Sequence, residues 1–262
     1  MERSAILDAA ALLHARWRDG GKLKHLPAPL RPQTREDGYA IAGALAQLQD
    51  EPCLGWKIAA TSAAGQAHIG VDGPLAGRLY ASRVLPPGAE IALDHNLMRV
   101  TEVEFAFRFG RELRARDRDY PLSEVMDAIE SLHLSLEIPD SRYSDFAAVG
   151  APSLIADTAC ADRLVLGPPV EAPWREIDFP AYGVRALRNG VEVARGKGAA
   201  VLGDPRVALA WLVNEVCRHC GGLDSGAVVT TGTCVVPVPI APGDAFVGDY
   251  GALGTLEVRF RP

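Results

Sequence analysis

RVTEVEFAFRFG, residues 99–110, is the stretch on which the reading of this chain turns. Apolar Val103, Phe105, Phe107 and Phe109 alternate with the residues between them, the period of a largely buried strand. Residues two apart on a strand share a face, so Glu102 and Glu104 point the same way. A strand this apolar seldom turns two carboxylates inward unless something cancels their charge. A second alternating segment, LHLSLEI at 132–138, ends at Pro139-Asp140 and supplies a third carboxylate, Glu137. Three carboxylates without a matching Cys or His cluster favour Mg2+ or Mn2+ over zinc. The rival reading has Glu102 and Glu104 outward on a half-exposed strand, pairing with Arg99 or Arg108. Spacing does not decide between the two.

Around this pair the chain reads as an α+β protein with a strand-dominated core. Residues 4 to 18 carry an apolar helical stripe, followed by the Pro-rich connection HLPAPLRPQ. Thr34 is placed to cap a second helix, with Asp37 as the partner of a capping box. CLGWKIAAT, 53–61, reads as a buried strand carrying Lys57. Residues 1–60 are thus expected to form a helical N-terminal element leading into the core, and 61–262 a mixed-β catalytic domain. ALRNGVEVARG predicts a hairpin turned by Asn189-Gly190. Asp204 and Pro205 open a late helix that Gly221-Gly222 closes. Several strands separated by Gly-containing turns follow to the C-terminus.

Composition narrows the function classes. The 262 residues carry 27 basic and 33 acidic side chains, a formal charge of −6, which argues against a nucleic-acid surface. No apolar run reaches roughly 18 residues, so no membrane span is expected. Glu2, Asp8, His14 and Arg16 interrupt any signal-peptide core at the start. Five scattered cysteines, an odd number, fit a reduced cytoplasmic location.

Other side chains carry both a chemical and a plain reading. Lys57, alone in an apolar strand, is either a snorkelling lysine or an inward one, kept charged by a nearby anion or metal-bound substrate, or made a proton donor or acceptor by desolvation. Arg142, in IPDSRYSD, either clamps a substrate carboxylate or anchors its loop through Asp140 or Asp145. His133 shares a strand face with Glu137 and is a candidate acid or base, or else a satisfied histidine. His68 is a weaker candidate of the same kind. Cys217, His219 and Cys220 resemble half of a zinc cluster without its second half, and so favour a plain helix end. TTGT, 230–233, could bring Thr231 and the Gly232 backbone to an anion, or be a tight connection. Gly196-Lys197-Gly198 falls short of a phosphate loop, and no GxGxxG or GxSxG motif is present.

Taken in order, GWKIAATS, GVDGPLAGRLY, TEVEFAFRFG, LEIPDSR, GKGAAVLGDPRVALAWL and TTGT resemble the fumarylacetoacetate hydrolase superfamily. Within it the chain is most similar to the 2-keto-4-pentenoate hydratase and 4-oxalocrotonate decarboxylase branch, from about Asp37 to Phe260. The resemblance implies a mixed-β catalytic fold using Mg2+ or Mn2+ on a small anionic 2-oxo or 2-hydroxydienoic acid. It implies Glu102, Glu104 and Glu137 as metal ligands, Lys57 as the active-site lysine and Thr231 as a ligand-facing threonine. Two positions depart from it: Ala81-Ser82 stand where hydratase relatives carry an acid, and Thr158, in ADTAC, where they carry an asparagine. The expected activity is a metal-dependent hydratase (a lyase) that converts 2-hydroxypenta-2,4-dienoate to a 4-hydroxy-2-oxo acid. His133 is expected to replace the missing acid, and Arg142 to position anionic oxygens. A 2-oxo-acid decarboxylase, an acylpyruvate hydrolase and a non-catalytic metal scaffold are the alternatives, and the resemblance makes a homo-oligomer plausible.

Overall fold

A computed structural model describes all residues from Met1 to Pro262. The chain opens with two helices, α1 (Arg3–Asp19) and α2 (Arg35–Leu48). Gly20 ends the first in a left-handed conformation, φ 71°. Thr34 and Asp37 close a reciprocal capping box on the second, as their spacing predicts. Together these helices enclose a small apolar cluster of Ala9, Ala10, Leu13, Ile41 and Leu45, into which Tyr143 and Ala156 also pack. The helical element therefore sits on the segment that follows the Glu137 strand.

The larger sheet has eight strands. Its path runs β2 (Leu75–Tyr80), β1 (Cys53–Ala59), β12 (Val228–Thr233), β5 (Val100–Phe109), β7 (Ile129–Ile138), β8 (Arg163–Pro169), β3 (Val84–Leu85). The short β13 (Val238–Pro239) pairs with β5 off that path. β1 is an inner strand, antiparallel to β2 and parallel to β12. The helical element thus gives way to the core at Cys53, ahead of the boundary expected at residue 60.

A second sheet orders β10 (Val191–Lys197), β9 (Gly183–Arg188), β14 (Ala245–Asp249), β15 (Thr255–Phe260) and β4 (Glu90–Ile91). A ribbon of β11 (Gly222–Leu223) and β6 (Leu113–Arg114) stands apart. The two sheets meet through aromatic edges: Phe105 lies 5.1 Å from Phe179 and 5.6 Å from Tyr250, centroid to centroid. Tyr250 also donates its hydroxyl to the backbone carbonyls of Glu104 and Ser135, pinning β5 and β7 side by side.

The hairpin β9–β10 turns at Asn189 (φ 53°) and Gly190 (φ 79°), the two positive φ values a type I′ turn needs. α6 (Pro205–Cys220) has Asp204 as its cap and Gly221 as its left-handed stop. At its end His219 stacks on Tyr39, 4.7 Å between ring centroids, and faces Glu215 Oε2 at 3.9 Å. Cys217 and Cys220 are free thiols there, and the three form no metal-ligating group. Three short helices lie where sequence patterning predicts only strands and turns: α3 (Ala63–Ile69), α4 (Leu122–Asp127) and α5 (Gly150–Ala156). They span two turns or fewer, too short to show an amphipathic period. No helix is long and apolar enough to cross a membrane.

Candidate metal centre

Strand register brings the acidic residues together. Between β5 and β7, Glu102 stands directly opposite Glu137, and Glu104 opposite Ser135. Directly opposed residues on one face have Cβ atoms about 5 Å apart. One ligand oxygen from each of Glu102, Glu104 and Glu137 lies within 4.8 Å of the others. Glu104 and Glu137 are fully buried, and Glu102 is half-buried on the wall of a cavity.

Their oxygens are short of partners. Glu104 Oε2 accepts from the Gly232 amide at 2.8 Å, while Glu104 Oε1 and both oxygens of Glu137 have no hydrogen bond within the chain. Lys57 Nζ, on β1, sits 3.0 Å from Glu137 Oε1 as an ion pair without hydrogen-bond alignment. Its ammonium donates to the Ala159 carbonyl at 3.1 Å. Burial, then the charges of Glu137 and Glu102, raises the Glu104 pKa well above the ordinary carboxylate value. Burial likewise raises Glu137, against the opposing pull of Lys57. For Lys57, burial acts downward but Glu137 and Glu102 outweigh it, so its pKa rises and the ammonium form is held. Three acids with bare oxygen donors converge beside one lysine, so keeping all of them ionised takes a further positive charge. That donor set fits a hard divalent cation, which takes carboxylate oxygens and completes its shell with water or substrate.

Gly232 is required at its position. Its φ is 104°, and a Cβ there would meet Thr61 Oγ1 at 2.1 Å. The TTGT segment therefore contributes a backbone amide to the acidic cluster. Thr231, expected to face a ligand, instead donates its hydroxyl to the Phe105 carbonyl at 3.1 Å and does not line the cavity.

The cavity, about 930 Å³, is walled by Lys57, Glu102, Ala159, Cys160, Gly232 and Cys234, and by apolar Leu97, Met98, Phe146 and Val236. Its size lies in the range of small-molecule sites, roughly 300–1,000 Å³. Burial pushes the Cys160 thiol up to about 12, so it is an uncharged part of the wall. Two groups here lay outside the main sequence reading. His68 lines the cavity from α3, with Phe146 edge-on at 6.1 Å. Ser62 as helix cap and Gly70 (φ 65°) as stop were the available signals for that helix. Lys197, at the end of β10, lines the cavity without an ion-pair partner, whereas neighbouring Arg195 is paired with Glu192 at 3.0 Å.

His133 and Arg142 are not part of this centre. His133 stands opposite Ala106, four residues along β7 from Glu137 and so roughly 13 Å away. Its ring nitrogens bond the Gly167 carbonyl (2.8 Å) and Ser131 Oγ (2.9 Å), and burial lowers its pKa. Arg142 is buried against Asp157, not Asp140 or Asp145, and its guanidinium lies 4.2 Å over the Trp17 ring. Neither residue lines the cavity. Strand periodicity assigned the face of His133 correctly but could not supply its distance from the acids. Ser82, where an acid was expected, bonds Glu51 (2.6 and 2.8 Å) outside the cavity, and Ala81 lies outside it too.

The family model described as fumarylacetoacetate (FAA) hydrolase C-terminal matches residues 73–261. A protein named TodF product hydratase, from Pseudomonas putida strain F1, is 33% identical over 98% of this chain and 95% of its own. 2-Keto-4-pentenoate hydratase 1 of Dechloromonas aromatica is 31% identical over 96% of this chain and 95% of its own. Among solved structures, 4-oxalocrotonate decarboxylase from Pseudomonas putida G7, complexed with magnesium and adipate, superposes with a TM-score of 0.88. That likeness holds at 27% identity and covers 99% of this chain and 98% of the other.

Proposed function

Since the chain belongs to the fumarylacetoacetate hydrolase family, we propose that it is a metal-dependent hydratase of 2-hydroxypenta-2,4-dienoate (2-keto-4-pentenoate) or a related small 2-oxo acid. The observation that carries this reading is the trio of buried acids with bare oxygens beside Lys57, opening on a small-molecule cavity. Glu102, Glu104 and Glu137 would hold Mg2+ or Mn2+, which supplies Lewis-acid stabilisation of negative charge at the C2 oxygen of the substrate. The Gly232 amide orients Glu104, and Lys57 offsets part of the acids' charge.

Hydration needs two proton movements and one water. The 2-hydroxyl loses its proton while carbon 5 gains one, converting the dienol to an α,β-unsaturated 2-oxo acid. Water then adds its oxygen at carbon 4 and a proton at carbon 3. Lys57 Nζ, beside the acids, would give carbon 5 its proton and take the one released from the 2-hydroxyl, so it leaves the first step as the ammonium it began as. His68, the cavity's one imidazole, would take the proton of the attacking water and return one to carbon 3, the acid-base role expected of His133. The apolar walls of Ile69, Met98, Phe146 and Val235 exclude bulk water from the dienoate chain.

A second reading, decarboxylation of a 2-oxo dicarboxylic acid, is favoured by Lys197, an unpaired cation on the cavity wall suited to a distal carboxylate. The deciding experiment measures Mg2+-dependent turnover of 2-hydroxypentadienoate, and CO2 release from 4-oxalocrotonate, in the intact protein and in Lys57→Ala. Hydration that Lys57→Ala lowers at least 100-fold supports the main reading. Undiminished activity in the variant removes the lysine from the mechanism, and CO2 release without hydration selects the decarboxylase.

A further inference from the structure

Lys57 Nζ has one hydrogen-bond acceptor within the chain, the carbonyl of Ala159. That carbonyl belongs to an unusual piece of backbone. Thr158, Ala159 and Cys160 have φ values of 52°, 50° and 62°, three consecutive non-glycine residues in the left-handed region. Each pushes its Cβ towards a carbonyl oxygen, and such residues normally occur singly. A run of three persists only where its surroundings over-determine it.

Two sets of contacts do so. From below, Gly77 of β2 stands opposite Lys57 in the sheet, and a Cβ on it would meet the Thr158 carbonyl oxygen at 1.8 Å. The missing side chain lets the turn lie on the sheet beside the lysine. From the side, Arg142 grips the turn at both ends. Its Nε bonds the Asp157 carboxylate, a terminal nitrogen reaches the Ala161 carbonyl at 2.9 Å, and the other reaches the Asp157 carbonyl and Thr158 Oγ1. Asp157 Oδ2 in turn accepts from Ser141 Oγ (2.6 Å) and the Arg142 amide (3.0 Å). The Arg142 fork is anchored by the stacked Trp17 of α1.

We propose that Arg142 and Asp157 are positioning residues for Lys57: they clamp residues 158–160 in the left-handed turn whose Ala159 carbonyl fixes the lysine ammonium beside Glu137. The proposal rests on the reading of Lys57 as the proton-transfer group. Neither residue touches substrate; both act through one backbone oxygen. Shape complementarity at this scale matters because a misplacement near 1 Å can cost about 100-fold in rate.

The chain contains only four lysines, Lys22, Lys24, Lys57 and Lys197, so its 15N-lysine side-chain spectrum is simple enough to read residue by residue. In the full-length protein the buried Lys57 ammonium should give a slowly exchanging signal, identified by its loss in Lys57→Met. In Asp157→Asn and in the milder Arg142→Lys that signal should broaden or vanish, while Mn2+ affinity stays within about twofold. Turnover should fall at least tenfold in kcat with KM within about twofold. An unchanged signal and unchanged kcat in folded Asp157→Asn overturns the proposal. If Asp157→Asn does not fold, the same two readouts in Arg142→Lys decide it, since that variant keeps the charge and loses the fork. If the wild-type protein does not hydrate the dienoate at all, the functional reading fails, and the lysine spectrum still decides whether the pair orders Lys57.

Discussion

Two buried clusters of charge, one at the end of β7 and one five residues further on, are built on opposite plans. Around Arg142 every nitrogen of the guanidinium has an acceptor and Asp157 has donors on both oxygens, so positive and negative charge cancel locally. Around Glu137 three acids face one lysine, and three carboxylate oxygens have no hydrogen bond. Burial of an unsatisfied charged group is costly, so a folded chain tolerates such a deficit where something from outside fills it. The saturated cluster holds backbone, and the deficient one leaves oxygens free for the proposed cation. Residue types alone do not separate them: both are an Arg or Lys against acids on adjoining strand and loop.

The sharpest way to break this contrast is to remove a deficient-cluster ligand. Glu104→Ala should lose Mn2+ binding by calorimetry and lower turnover by about three orders of magnitude, some 4 kcal/mol of barrier. Retained Mn2+ binding would mean that the acids are not a metal site. Next in size is the saturated cluster. Asp157→Ala strands a buried guanidinium and should destabilise the fold by roughly 3 kcal/mol in urea melts, at the low end for a broken buried pair because backbone carbonyls still accept from Arg142. Mn2+ affinity of the folded fraction should hold.

Ligand linkage comes third. Mg2+ at 100 times its dissociation constant should raise unfolding free energy by about 2.7 kcal/mol, an increment that chelator removes and that Glu104→Ala lacks. A smaller effect is expected of Lys197→Ala, whose exposed cation is worth about 1 kcal/mol at most. It should raise KM a few-fold for a dicarboxylate and leave a monocarboxylate unaffected; an equal effect on both would remove Lys197 from selectivity. The smallest concerns His133, a satisfied group on the same strand as Glu137. Burial depresses its folded pKa below 6.5, so its contribution is present above about pH 6.5 and is lost as pH falls through the folded value. His133→Gln should flatten that acid slope in thermal melts by well under roughly 1 kcal/mol and leave kcat within about twofold.

Much of this molecule is written in local pattern. The alternation in 103–109 and 132–138, the Thr34–Asp37 box, the Asn189-Gly190 turn and the Asp204-Pro205 start each depend on neighbours a few residues apart, and each forms as its spacing predicts. The site was legible as far as one strand reaches: Glu102 and Glu104 share a face because backbone geometry requires it. His133 and Thr231 were misassigned because a shared face or a shared segment says nothing about distance or hydrogen bonding across the sheet. The place of His68 on the cavity wall was not legible because its helix is too short to carry a period.

What the amino-acid order determined, then, is the strands, caps and turns, the acids on one strand face and the membership of the fumarylacetoacetate hydrolase family. What tertiary structure alone decided is the pairing of Glu102 with Glu137 across β5 and β7, the entry of Lys57 from β1, and the removal of Arg142 to clamp residues 158–160. The reason is one of range: dihedral preferences and side-chain period act over a few residues, whereas register and burial set which distant charges meet and whether their partners are already present.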